Sequence, residues 1–194
     1  MSRIKLLSDS PAYSLKLLKI LKVKIIRYFG GVKIIIEPYN IDWKVLFEKE
    51  SNKLHNSLGR DMVIIEHIGS TSVVGLGAKP IIDIMVGIND VNQLDSFVSA
   101  IEYLGYNYVY QYENMMPNRR FFIKDSQRIR SYHIHMVEYN TDFWKRHLRF
   151  RNRLRRDEGL REKYYNLKLG LSKKDWKDVD EYAAAKSQFI KEIE

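Results

Sequence analysis

The period of apolar and polar positions changes several times along the chain, and each change marks an element. Residues 32–37 form a short β-branched run, and 62–68 and 80–87 are longer apolar runs, the second of them apolar on both faces; all three predict strands. Over 130–138 the alternation is strict, with His133, His135 and Val137 on one face and Ile134, Met136 and Glu138 on the other. Residues 106–112 and 120–124 complete the strand-like runs. Helical spacing separates them. Asp42 opens a helix that runs through Leu58, Asp90 caps one closed by Gly105, and helices over 141–156, 158–171 and 175–193 end the chain. Near the start, Leu15, Leu18, Leu21 and Ile25 recur at helical spacing with lysines off that line, which predicts a basic amphipathic helix over 12–28 ahead of Gly30 and Gly31. This order predicts an α/β (α+β) fold: a mixed sheet with helices packed against it and a helical C-terminal part.

Composition narrows the picture. With 194 residues and 45% apolar content, the chain can bury one ordinary core and forms a single compact domain by default. The absence of cysteine excludes disulfides, thiolate metal sites and cysteine nucleophiles, and suits a reducing cytoplasm. No apolar run reaches the roughly 18–20 residues that cross a bilayer, and the first residues lack the small-residue cleavage pattern of a signal peptide. A cytoplasmic protein without a transmembrane segment is expected.

The net charge of +9 is unevenly placed. Residues 1–36 hold eight Lys/Arg against one acid, whereas residues 37–194 hold 25 against 23. We therefore divide the chain into a basic extension, 1–36, and a nearly neutral domain, 37–194. Within the domain, 145–168 is a second basic block with ten basic residues against three acids, and Trp144, Leu148, Arg151 and Arg155 follow helical spacing in and beside it. The two patches leave room for nucleic acid, an anionic lipid surface or a second copy of the chain as partner. Nucleic acid is not favoured, because a solvated stripe or internal ion pairs with the acids of 157–162 account for the block as well.

Candidate chemistry gathers between the two apolar runs, in "EHIGSTSVVGLGAKPIIDIMVGI", residues 66–88. Gly69 permits a tight turn, and Ser70, Thr71 and Ser72 supply hydroxyls and N–H groups suited to phosphate oxygens or simply to the turn itself. Lys79 can neutralise phosphate charge or be merely exposed. An aspartate within "PIIDIMV" is costly unless paired or bound to a metal, so Asp83 reads as a Mg²⁺ ligand or as the partner of Lys79, Arg119 or Arg120. Phosphoryl or nucleotidyl transfer also needs a base, and His133 and His135, sharing a strand face, are the candidates for base, phosphate donor or ligand. Arg119 and Arg120 can clamp phosphate, but only one of two strand neighbours faces a given side. Glu66 and His67 present the same choice.

Several ordered blocks, "EPYNIDWKVLFEKE", "EHIGSTSVVGLGAKPIIDI", "RRFFIKD", "YHIHMVE", "HLRFRNRLR", "LKLGLS" and "EYAAAKSQFI", resemble the GrpB family from about residue 36 to the C-terminus. That family is placed in the nucleotidyltransferase superfamily by similarity and also occurs fused to dephospho-CoA kinase. The resemblance implies a nucleotidyltransferase-like mixed sheet and a cleft for a nucleotide or other phosphate-containing small molecule. It also implies Mg²⁺ on Asp83, and it matches Lys186 to a family lysine that can reach a phosphate from the C-terminal helix or simply be exposed. Val74, Asn152 and Arg153 depart from the family blocks. The active sites of the superfamily usually carry Asp-x-Asp, whereas this chain reads Asp83, Ile84, Met85. Two expectations follow: a Mg²⁺-dependent enzyme passing a nucleotidyl or phosphoryl group to an acceptor, or a non-catalytic phosphate-binding module with an incomplete metal site.

Overall fold

The computed structural model describes residues 25–28, 31–126 and 129–194. Its strands are β1 (Ile25–Tyr28), β2 (Gly31–Ile34), β3 (Val63–Ile68), β4 (Ile82–Ile88), β5 (Asn107–Tyr108), β6 (Arg119–Ser126), β7 (Ile129–Glu138) and β8 (Asp175–Trp176). The helices are α1 (Asp42–Leu58), α2 (Val98–Tyr103), α3 (Asp142–Arg156), α4 (Glu158–Ser172), α5 (Val179–Ala184) and α6 (Ser187–Ile193). Five strands form a mixed sheet in the order β3-β4-β7-β6-β5, in which only β4 and β7 run parallel. A second, antiparallel sheet has the order β1-β2-β8. Among the described residues no helix is long and apolar enough to cross a membrane.

The even-numbered residues of β4, β6 and β7 turn to one face of the large sheet. There Ile82, Ile84, Val86, Ile88, Phe122, Ile134 and Met136 pack with Leu54 and Leu58 of α1 and Ile101 of α2 into the main core. This face also holds a charge. Glu50 of α1 is buried and accepts hydrogen bonds from Lys124 on β6 (2.6 Å) and from Lys53 (3.0 Å). The opposite face is divided. At one end Met85, Ile68 and Val137 pack under Trp144 of α3, close enough that a Cβ on Gly87 would meet the indole at 2.6 Å. At the other end the sheet opens into a cleft that the C-terminal helices wall off.

Several boundaries differ from the sequence-based expectation. Ile25–Tyr28 is a strand paired with Gly31–Ile34, not the end of a helix; the rest of the expected basic helix lies outside the described residues. Val32 and Ile34 are buried against Leu171, Trp176 and Tyr182, so apolar contact joins residues 31–34 to the body across the charge-based division at 36. Asp42 does not cap α1; the Asn40 side chain accepts from the Asp42 N–H at 2.9 Å. The segment after Asp90 is 3-10 over Val91–Phe97 before α2 begins. Of 106–112, only Asn107–Tyr108 pairs as strand, because the chain turns into a 3-10 segment at Tyr110–Tyr112. The last expected helix begins later, at Val179, where Asp178 accepts from the Glu181 N–H. Residues 175–176 instead pair with β2, and the helix breaks between α5 and α6.

Candidate functional site

The cleft, about 430 Å³ in volume, is built around Asp83 near the start of β4. Parallel pairing sets Asp83 directly beside His133 of β7, and His133 Nδ1 lies 3.0 Å from Asp83 Oδ1. Because an ionised carboxylate only accepts, His133 donates from Nδ1, and its Nε2 is left as the acceptor of a neutral ring. The other carboxylate oxygen is enclosed by the turn after β3. Gly69 has φ +69°, and a Cβ there would lie 2.4 Å from Asp83 Oδ2. Only glycine tolerates both the left-handed backbone and this approach. Burial works to raise the Asp83 carboxyl, but the His133 hydrogen bond, with the attraction of the basic groups around it, Lys79 among them, overcomes it and holds the group down at about 2.

His135, two residues along the same face, accepts at Nδ1 from Arg119 Nη1 at 3.3 Å. Since arginine has no acceptor, the ring is the neutral tautomer with its proton on Nε2. Burial keeps it neutral, pushing its pKa well below the ordinary histidine value despite the opposing pull of Asp83. Arg119 sits over Phe121, 5.2 Å from the ring centroid, and its Nε is buried without a hydrogen-bond partner among the described residues. Lys79 at the entrance of β4, Lys168 of α4 and Lys186 beside α6 complete a basic wall. Burial pushes Lys186 down to about 8, reinforced by Lys79. It pushes Lys168 down to about 6, with Lys186 adding to the effect, and Lys168 Nζ donates to the Gly77 carbonyl at 2.5 Å. Lys79 is lowered too, chiefly by burial and against the attraction of Asp83. Four basic side chains thus face two carboxylates, Asp83 and Asp180. Both acids are engaged, Asp180 accepting from the Tyr112 hydroxyl at 3.0 Å.

Not every residue singled out in the sequence points into this cleft. Arg120 faces the other way, donating to Asp95 at 2.6 Å and to the Pro117 carbonyl at 2.8 Å, as the alternation along β6 requires. The Ser72 hydroxyl donates back to the Gly69 carbonyl at 2.6 Å and closes the turn. Thr71 reaches the cleft wall, but its hydroxyl donates to the Ile81 carbonyl and lies 3.1 Å from His67 Nε2. His67 is buried in a stack on Phe47. Gly69 and Ser70 of the turn line the cleft, the Ser70 side chain already hydrogen-bonded to Tyr164. The arginine stripe of α3 holds this turn from below. Arg151 donates to Glu66 at 2.5 Å and to the His67 carbonyl at 2.9 Å, and Arg155 donates twice to the Ser72 carbonyl, at 3.1 and 2.8 Å. The basic block therefore pairs internally, with β3 and the turn and also, through Arg161 and Glu158 at 3.3 Å, with the acids of 157–162.

The donor set does not fit a protein-held Mg²⁺. The position two residues after Asp83, where a second carboxylate would stand, is Met85, fully buried beneath Trp144. Glu66 is occupied by Arg151, and Glu138 pairs with Ile88 on the opposite face. Among the described residues no group of three or more His, Cys, Asp or Glu side chains is placed to hold a metal ion. Lysines and an arginine around one carboxylate disfavour a hard cation that requires several oxygen ligands.

Sequence reasoning passed over Tyr112, Phe121, His147, Lys168, Asp180 and Tyr182, all of which line the cleft. Lys168 stood in the "LKLGLS" block and in the basic run; its charge counted there as surface, whereas its side chain is 2% exposed at residue level. Tyr182 stood in "EYAAAKSQFI" four residues before Lys186, which is helical stacking distance, and its ring lies 4.4 Å from the Lys186 ammonium.

The arrangement has relatives. A family model described as GrpB protein matches residues 33–194. The chain belongs to the GrpB family. The match begins within β2, where the packed body begins. The chain is 34% identical over 163 residues to UPF0157 protein BH1888 of Halalkalibacterium halodurans, covering 84% of this chain and 82% of that protein. It is 32% identical over 165 residues to the Glutamate-rich protein GrpB of Alkalihalophilus pseudofirmus, covering 83% and 94% respectively. The crystal structure of conserved protein GrpB from Enterococcus faecalis superposes with a TM-score of 0.71 at 34% identity, over 82% of this chain and 94% of that one. The mixed α/β fold is therefore the fold of a GrpB protein.

Proposed function

We propose that the cleft binds a nucleoside triphosphate or a related small molecule carrying more than one phosphate. The observation that supports this is the gathering of Lys79, Arg119, Lys168 and Lys186 around two carboxylates that already have partners. Burial lowers Lys168 and Lys186, and repulsion from a neighbouring lysine adds to it; a multiply charged anion offsets both. Arg119, which lines the cleft, serves as a phosphate donor. Gly69 and Ser70 supply the polar rim, and Tyr112, Phe121 and Tyr182 offer ring surface for a sugar or base. The volume of about 430 Å³ lies within the usual range of small-molecule sites.

Transfer of a nucleotidyl or phosphoryl group to an acceptor is the enzymatic form of this reading, and the Asp83–His133 pair favours it. The non-catalytic form, a phosphate-binding module, is favoured by Met85 in place of a second acid. Calorimetric titration with nucleoside triphosphates, coenzyme A precursors and inorganic pyrophosphate, each with and without Mg²⁺, tests the shared core of both. Binding weakened by Lys79→Met and Lys186→Met is the expected result. No heat and no thermal stabilisation at millimolar ligand would overturn it.

A further inference from the structure

We infer that Asp83 and His133 form a carboxylate–imidazole pair in which His133 Nε2 is a general base acting on a hydroxyl nucleophile, without a metal held by the protein. This rests on the phosphate-binding reading of the cleft and names the proton acceptor within it.

Three features of the geometry carry the inference. The parallel register fixes Asp83 and His133 side by side, and the 3.0 Å contact to Oδ1 uses Nδ1, so the ring is oriented with its other nitrogen unprotonated when neutral. Gly69 closes over Oδ2, which leaves the carboxylate both ionised and occupied: it steadies an imidazolium but is badly placed to wrap a cation. His135 differs in tautomer. Its Nδ1 accepts from Arg119, so it presents an N–H and serves as a donor rather than a base. Two histidines two residues apart on one strand thus hold opposite proton assignments, each set by the partner of its Nδ1. The neighbours that line the same cleft, Lys79, Arg119 and Lys186, supply the charge neutralisation that a metal would otherwise provide.

The step balances without a further reagent. The acceptor O–H, from an alcohol or from water, gives its proton to His133 Nε2 as its oxygen bonds to phosphorus. The bond from that phosphorus to its bridging oxygen breaks, and the departing phosphate takes the electron pair. The imidazolium, stabilised by Asp83, returns the proton to the departing oxygen or to solvent. His133 is the catalytic residue of this scheme and Asp83 its positioning residue.

Nitrogen NMR of the full chain, with its histidines labelled, reads the tautomers directly. The neutral His133 ring is expected to carry its proton on Nδ1, and that of His135 on Nε2. A His133 ring protonated on Nε2 would overturn the pair. The second measurement incubates the four common nucleoside triphosphates with excess EDTA, with water or glycerol as acceptor, and separates the phosphate-containing products. Metal-free turnover is expected, with His133→Gln lowering kcat by about 10²- to 10⁴-fold and leaving affinity by calorimetry within about threefold. Asp83→Asn should lower kcat and shift the His133 nitrogen resonances together, a coupled change that a purely structural role does not produce. Triphosphate binding without turnover in EDTA, or turnover insensitive to His133→Gln, overturns the base assignment alone. Absence of binding overturns the ligand class, and the base assignment with it.

Discussion

On one side of β4, Ile82, Ile84, Val86 and Ile88 are each at most 2% exposed. On the other, the Asp83 side chain is 29% exposed, while Met85, one step further along, is sealed under Trp144. The first side is a uniform apolar surface matched to two helices. The second passes from cleft to core within two residues, roughly 7 Å of strand. Stability and chemistry are thus separated across the thickness of one sheet rather than between segments of the chain. The C-terminal helices make the cleft by covering only part of the second side.

That separation predicts that substitutions on the two sides behave differently. The largest effect is expected from Phe122→Ala, which empties the centre of the apolar side: a loss of about 3–5 kcal/mol in chemical denaturation, with pyrophosphate affinity of the folded fraction unchanged. A large affinity loss would break the separation. Gly69→Ala should cost about 1–3 kcal/mol for a strained backbone and should weaken ligand binding as well, since its Cβ collides with Asp83 Oδ2. A variant as stable and as tight-binding as the parent would show that the turn and Asp83 are not locked together.

The acid limb of stability sharpens the cleft side. The folded Asp83 carboxyl is held at about 2, below its ordinary 3.8. Protonation therefore favours the unfolded chain, and stability present above about pH 4 is lost as pH falls towards 2. The contribution is on the order of 2 kcal/mol. Asp83→Asn should flatten that limb when denaturation midpoints are compared at pH 5 and pH 2.5.

A smaller effect is expected of Lys186→Met: about tenfold weaker pyrophosphate binding, roughly 1.4 kcal/mol, with stability changed by no more than about 0.5 kcal/mol. The smallest is a pH trend. An anion raises the lowered lysines, Lys186 at about 8 and Lys168 at about 6, so binding takes up protons and tightens as pH falls from 8 to 6. Sulfate, which does not titrate in this range, should bind severalfold more tightly at pH 6. Affinity that weakens instead would place the charge repulsion elsewhere.

The strands of the site were legible because their pattern has a short period. The alternation in 130–138 placed His133 and His135 on one face, and the register with β4 sets that face beside Asp83. The choice between Arg119 and Arg120 was equally visible as a parity, though not its outcome, which depends on Asp95 lying on the Arg120 side. Two kinds of feature were not legible. Lys168 reaches the cleft because α4 folds back over the sheet, a placement no local period encodes, and Lys186, beside the α5–α6 break, was singled out by the family resemblance rather than by any period. Ile25 satisfied the helical spacing of the apolar residues before it, while Ile25 and Ile26 are equally β-branched strand formers; pairing with Gly31–Ile34 decided between them, and that pairing is tertiary context.

The parallel ladder between β4 and β7 also bears on how the molecule is assembled in time. The β3–β4 pair joins Ile68 to Asp83, and the β6–β7 pair joins Ser126 to Ile129, so each closes a short stretch of chain. Asp83 meets His133 only across a separation of 50 residues. Contacts with the longest loops bear the largest closure entropy and form late in folding. The two antiparallel units can therefore exist before the site does, and the Asp83–His133 pair comes together when those units dock. In pulse-labelling hydrogen exchange, the amides that pair β4 with β7 should gain protection after those that pair β6 with β7, making the site a built-in clock for a late step of folding.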